Sequence, residues 1–166
     1  MFSKEWHKVD PSTREIIQRY QIEHPIKVGE LAKQLGLKVS AATLPANISG
    51  EIKEDENGVI HIRVNRHDVK TRQRFTIAHE ISHFILHRHL LRSGIQDDVL
   101  YRSNQSDKIE WEANALASDI LMPAEIVKKL INEKYGDLDG EALFEAVSEE
   151  LSVSPTALKY KFSRLR

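Results

Sequence analysis

The stretch RFTIAHEISHFILHRH, residues 74–89, sets four histidines and one glutamate among Phe, Ile and Leu. Placed on a helix at ~100° per residue, the apolar side chains Phe75, Ile77, Ala78, Ile81, Phe84, Ile85 and Leu86 occupy most of the circumference. Thr76, His79, Glu80, His83 and His87 share the remaining wedge. A helix apolar over most of its surface is buried, so the polar wedge has to face a cleft or a ligand. His79 and His83 stand at i and i+4, where side chains leave one face with Cβ atoms ~5–6 Å apart. That separation allows one imidazole nitrogen from each to lie ~2.0–2.1 Å from a shared zinc ion. Glu80, rotated away from the pair, is placed to reach a water on that ion. HEISH is thus a His-Glu-x-x-His motif, two ligands and a general base.

The later histidines fit less well. His79 and His87 are separated by ~12 Å along a straight helix at 1.5 Å per residue, too far to share one ion with His83. His89 has the spacing of a third ligand in the longer His-Glu-x-x-His-x-x-Gly-x-x-His motif. Leu86, however, stands where that motif needs a glycine to turn the chain. The bland alternatives are a surface position or an outer partner of the ligands.

A catalytic zinc takes three protein ligands and leaves a place for water. The chain has no cysteine, so the third ligand is a carboxylate or a further histidine. IEWEANALASDILMP, residues 109–123, is strongly helical in pattern. Glu110 falls inside its apolar stripe, between Ala117 and Leu121, whereas Glu112 and Asp119 fall outside it. An unpaired carboxylate on a packing face costs several kcal/mol, roughly, so Glu110 is the third ligand by position. Asn114, one turn on, can hydrogen-bond a ligand and fix its orientation. A second oxyanion donor is open among Tyr101, His61 and His87.

The surrounding sequence supplies the frame. Residues 11–24 read as a helix stopped by Pro25, and 28–36 as a short helix ended by Gly36. Residues 48–65 read as a hairpin, with Asn57-Gly58 as its turn and Ile60, Ile62 and Val64 alternating with His61 and Arg63. Residues 92–108 read mostly as loop, and helices are expected after Pro123, at 139–150 and at 154–165. The class is α+β: mostly helical, with a small antiparallel or mixed sheet beside the zinc-binding helix. Residues 1–125 are expected to form the metal-binding core and 126–166 an accessory helical region, helix-turn-helix-like, packed on it.

Length, 166 residues, and a net charge of −1 imply one ordinary globular unit with no global pull toward nucleic acid or membrane. The absence of cysteine, of a signal-like apolar segment and of any run near the ~18 apolar residues of a membrane span predicts a cytoplasmic, soluble chain. The last segment, 151–166, holds Lys159, Lys161, Arg164 and Arg166, but residues 137–150 hold six acids. That balance disfavours direct DNA binding.

RQRFTIAHEISHFILH (72–87) followed by EWEANALASDILMP (110–123) resembles the two signature helices of the ImmA/IrrE-type zinc metallopeptidases, and the upstream ISGEI and IRVN segments are similar too. The resemblance covers residues 27 to 125 and has a gluzincin-like layout. It implies a zincin-like core and one Zn²⁺ per chain held by His79, His83 and Glu110, with Glu80 as base. It also implies a protein substrate, characteristically a helix-turn-helix repressor cleaved in a stress response or in mobile-element regulation. The competing reading is a DNA-binding or partner-binding regulator with a structural, sensing or dormant metal site.

Overall fold

The structure, a computed structural model, describes residues 1–97 and 107–165. Three helices come first: α1 (Lys4–Lys8), α2 (Pro11–Tyr20) and α3 (Val28–Gln34). Strands β1 (Lys38–Ala42), β2 (Gly50–Glu54) and β3 (Ile60–Asn65) follow, then α4 (Lys70–Leu86) and a 3₁₀ turn at Arg88–Leu90. β4 (Ile95–Asp97), α5 (Asp107–Leu121), α6 (Ala124–Glu133), α7 (Gly140–Leu151) and α8 (Pro155–Lys161) complete the order. The α+β class is as expected from sequence.

Local chemistry accounts for most element ends. Asp10 caps α2 by accepting from the Thr13 N–H, and Pro11 sits in the first turn, where its missing N–H is harmless. α2 ends at Tyr20 rather than at 24, and buried Gln21, just beyond it, donates its amide to the carbonyls of Asp119 and Ile120 at 2.9 and 3.0 Å. In the β2–β3 loop the Asp55 carboxylate accepts from the Asn57 and Val59 N–H groups, and Gly58 takes φ +79°.

The sheet order is β1-β3-β2-β4, with β1 parallel to β3 and the other pairs antiparallel. The hairpin was legible in the sequence; the two edge strands were not. β4 lies inside the stretch read as loop, held by pairing with β2 and by the burial of Ile95.

Register decides which sheet face carries the site. Gly50 pairs with Val64 and Ile52 with Ile62, on one face; Glu51 pairs with Arg63 and Lys53 with His61, on the other. α4 lies on the first face. A Cβ at Gly50 would overlap Thr76 Cγ2 and come within 3.8 Å of Glu80 Cγ, so glycine at this point lets the helix settle onto the strand. The apolar cluster beneath includes Ile52, Ile62, Ala78, Ile81, Leu116 and Ile120, and runs on to Leu143, Val147 and Leu158.

Two of the C-terminal basic side chains pair with acids of the chain itself. Lys161 donates to Asp119 Oδ1 at 3.0 Å and to the carbonyls of Ser118 and Met122, and Lys159 pairs with Glu141. No helix among the described residues is long and apolar enough to cross a membrane.

Candidate metal centre

α4 and α5 pack along one another and bring His79, His83 and Glu110 together, with ligand atoms all within 4.8 Å. His79 Nε2 lies 3.0 Å from Glu110 Oε2 and 3.1 Å from His83 Nε2; His83 Nε2 lies 3.3 Å from Glu110 Oε1. The two rings meet edge-on at an interplanar angle of 87°, so both nitrogens aim into one space. His79 Nδ1 is 2.8 Å from Asn114 Oδ1. An amide oxygen only accepts, so that nitrogen carries the ring proton and Nε2 presents its lone pair.

Two imidazole Nε2 atoms and a carboxylate in mutual contact form a donor set that one shared cation could join. A tetrahedral ion with bonds of ~2.0–2.1 Å holds its ligands ~3.3 Å apart, close to the spacings seen. The donor set, two imidazoles and a carboxylate, suits a small divalent ion. The residues fit a metal.

Glu80 is fully buried between α4 and the sheet, beside Gly50. His79 and His83 are buried as well, and Glu110 is partly exposed, its side chain 18% accessible. The polar wedge of α4 is therefore buried together with Ala78, Ile81 and Ser82, while Phe75, Ile77, Phe84 and Ile85 keep some exposure.

Other candidates separate clearly. His61 stands on the sheet face turned away from α4 and pairs with Asp55 at 2.9 Å, so strand alternation removes it from the oxyanion candidates. Tyr101 lies outside the described residues. His87 ends α4 with φ −128° and ψ 36°, and its ring lies on the far side of His83, Nδ1 to Nδ1 at 2.9 Å. It therefore sits behind a candidate ligand, remote from where a carbonyl would bind. Burial, reinforced by the neighbouring His83 ring, lowers its pKa to about 4. His89 is exposed in the 3₁₀ turn.

Two acids placed outside the α5 stripe are buried nonetheless. Glu112 accepts from Lys8 Nζ at 2.8 Å, a hydrogen bond that holds its carboxyl below the ordinary range. Asp119 accepts from the N–H and hydroxyl of Ser3. A single-helix projection cannot show that the terminal segments cover this face.

A His-Glu-x-x-His helix thus lies on a small mixed sheet, beside an acid from the next long helix. The family model Peptidase_M78, IrrE N-terminal-like domain, matches residues 32–163, and the chain belongs to that family. It is 26% identical over 144 residues to the uncharacterized immunity region protein 2 of Bacillus phage phi105, covering 87% of this chain and 86% of that one. It is 37% identical over 101 residues to the radiation response metalloprotease IrrE of Deinococcus deserti, covering 60% of this chain and 34% of IrrE. A Mycobacterium tuberculosis transcriptional regulator superposes with a TM-score of 0.64 at 16% identity, over 99% of this chain and 48% of that one. That last likeness is one of fold. The chain spans about a third of IrrE and about half of the mycobacterial protein.

Proposed function

We propose that the chain is a zinc-dependent endopeptidase whose substrate is a helix-turn-helix transcriptional repressor. The observation that carries the hydrolytic part is the convergence of His79 Nε2, His83 Nε2 and a Glu110 oxygen at 3.0–3.3 Å, with Glu80 one residue from a ligand. His79, His83 and Glu110 would hold the ion. When bound, zinc supplies Lewis acidity, which brings the pKa of water to ~7 and polarises a carbonyl.

The remaining chemistry falls to the chain. Glu80 takes a proton from the attacking water and delivers it to the leaving amine. Its side chain is fully buried, with Cγ beside Gly50, and a water-poor setting strengthens electrostatic interactions with the carboxylate. Asn114 holds the His79 ring in the tautomer that leaves Nε2 free to coordinate. The repressor substrate is supported by the family resemblance and by a phage relative described as an immunity region protein.

Co-expression with the helix-turn-helix protein encoded beside its gene tests this reading. A repressor fragment should appear with the wild-type chain and disappear with Glu80→Gln, while the purified variant retains zinc. A fragment that persists in Glu80→Gln rejects Glu80 as base. A wild-type chain that binds no divalent ion rejects the metallopeptidase itself.

A further inference from the structure

We propose that His87, Glu112 and Lys8 form an outer chain that fixes His83 as an Nε2 ligand and makes the N-terminal helix part of the metal centre. The inference rests on the metallopeptidase reading above.

The starting point is the position of one proton. His83 Nε2 faces His79 and Glu110, so coordination needs its lone pair there, and the ring proton belongs on Nδ1. That nitrogen is 2.9 Å from His87 Nδ1. Only one hydrogen fits between them, so His83 donates and His87 accepts. His87 then carries its own proton on Nε2, which is buried and 3.7 Å from Glu112 Oε1, beyond hydrogen-bond distance, so that Glu112 acts on it through its charge. Glu112 Oε2 accepts from Lys8 Nζ at 2.8 Å, and Lys8 also lies 3.7 Å from Glu5 Oε1.

Along this line stand a cationic donor, a carboxylate, an imidazole accepting on its inner nitrogen, and a candidate ligand. The backbone is shaped for this. The His87 N–H still donates to the His83 carbonyl at 2.8 Å, but the chain leaves helical geometry at His87, which turns the ring back beneath His83. An ordinary surface histidine at i+4 would need no such turn. Lys8 precedes residue 32, where the family match begins, so the anchor is a feature of this chain outside the matched segment.

Zinc affinity, measured on the full chain by competition with a chromophoric chelator, tests the proposal. His87→Phe should weaken binding by roughly 10–100-fold. His87→Asn, whose Oδ1 replaces the inner ring nitrogen as acceptor, should return affinity to within about threefold of wild type. Lys8→Met should cost severalfold, since it acts through Glu112. Long-range ¹H–¹⁵N spectra of the zinc-loaded chain should show His87 as the Nε2–H tautomer.

Unchanged affinity in His87→Phe, equal losses in His87→Asn and His87→Phe, or an Nδ1–H tautomer at His87 would each overturn the proposal while leaving the metallopeptidase reading intact. If His87→Phe does not fold, Lys8→Met and Glu112→Gln decide, and wild-type affinity in both overturns it. A wild-type chain that binds no zinc removes the proposal together with its parent reading.

Discussion

Glu110 and Asp119 are acids on the same helix, α5, the first partly exposed and the second buried, and their surroundings differ in kind. Asp119 faces Lys161 Nζ at 3.0 Å and accepts two hydrogen bonds from Ser3. Lys161 spends its remaining donors on the Ser118 and Met122 carbonyls. That group is electrically closed and ties both ends of the described chain to α5. Glu110 faces the Nε2 atoms of two imidazoles at 3.0 and 3.3 Å. That group could hold a metal ion. Buried charge alone therefore does not mark a site; what marks it is a set of neighbours that share the same electrical need.

The largest effects should come from the open cluster. Glu80→Gln is expected to lower the rate of substrate cleavage by ~10²–10⁴-fold with little change in zinc content, read by single-turnover cleavage and metal analysis. His83→Ala should abolish both. Removing the metal with a chelator should lower the melting temperature of wild type, since an ion present at 1,000 times its dissociation constant contributes about 4 kcal/mol. His83→Ala should melt identically with and without chelator. A chelator-sensitive melt in that variant would break the distinction between the two groups.

The closed group should behave in the opposite way. Asp119→Ala strands the buried Lys161 charge, and losing one partner of a buried pair costs about 3–5 kcal/mol. Denaturant unfolding should show that loss equally with and without zinc. Replacing both partners, Asp119→Leu with Lys161→Met, should recover much of it. A smaller loss, about 1–3 kcal/mol by overpacking, is expected for Gly50→Ala. Because Thr76 and Glu80 lie against Gly50, cleavage should fall beyond what stability explains.

The smallest effect belongs to Glu150, whose carboxyl is held below the ordinary range first by Lys134 and then by Tyr135. A depressed carboxyl contributes stability that is present above its unfolded pKa and lost as pH falls through the folded value. Glu150→Gln should therefore cost less than ~1 kcal/mol at neutral pH. The difference between the two stability profiles should shrink as pH drops below about 4.5, the ordinary glutamate value. A gap that widens in acid would contradict the assignment.

How much of this could be read beforehand differs from residue to residue. The helices bearing HEISH and EWEAN, the Asn57-Gly58 hairpin and the Gly36 stop follow from periodicity and turn chemistry, both local properties. The gathering of His79, His83 and Glu110 could be anticipated because two of them lie one turn apart and the third interrupts an apolar stripe. His61 could not be placed, because alternation along a strand tells which residues share a face but not which face meets the helix. The edge strands β1 and β4 left little trace, since their order comes from hydrogen bonds to neighbours rather than from their own hydrophobic pattern. Glu112 and Asp119 looked solvent-facing for a related reason: α1 and α8 cover them from distant parts of the chain.

The sequence by itself determined the elements and the pairing of His79 with His83, because a helix fixes the relative direction of residues four apart wherever it is placed. The tertiary structure alone decided which acids of α5 meet lysines and which meets imidazoles, and which sheet face lies under α4. Those outcomes depend on contacts between segments far apart in the chain, and no periodicity within a single segment carries that information.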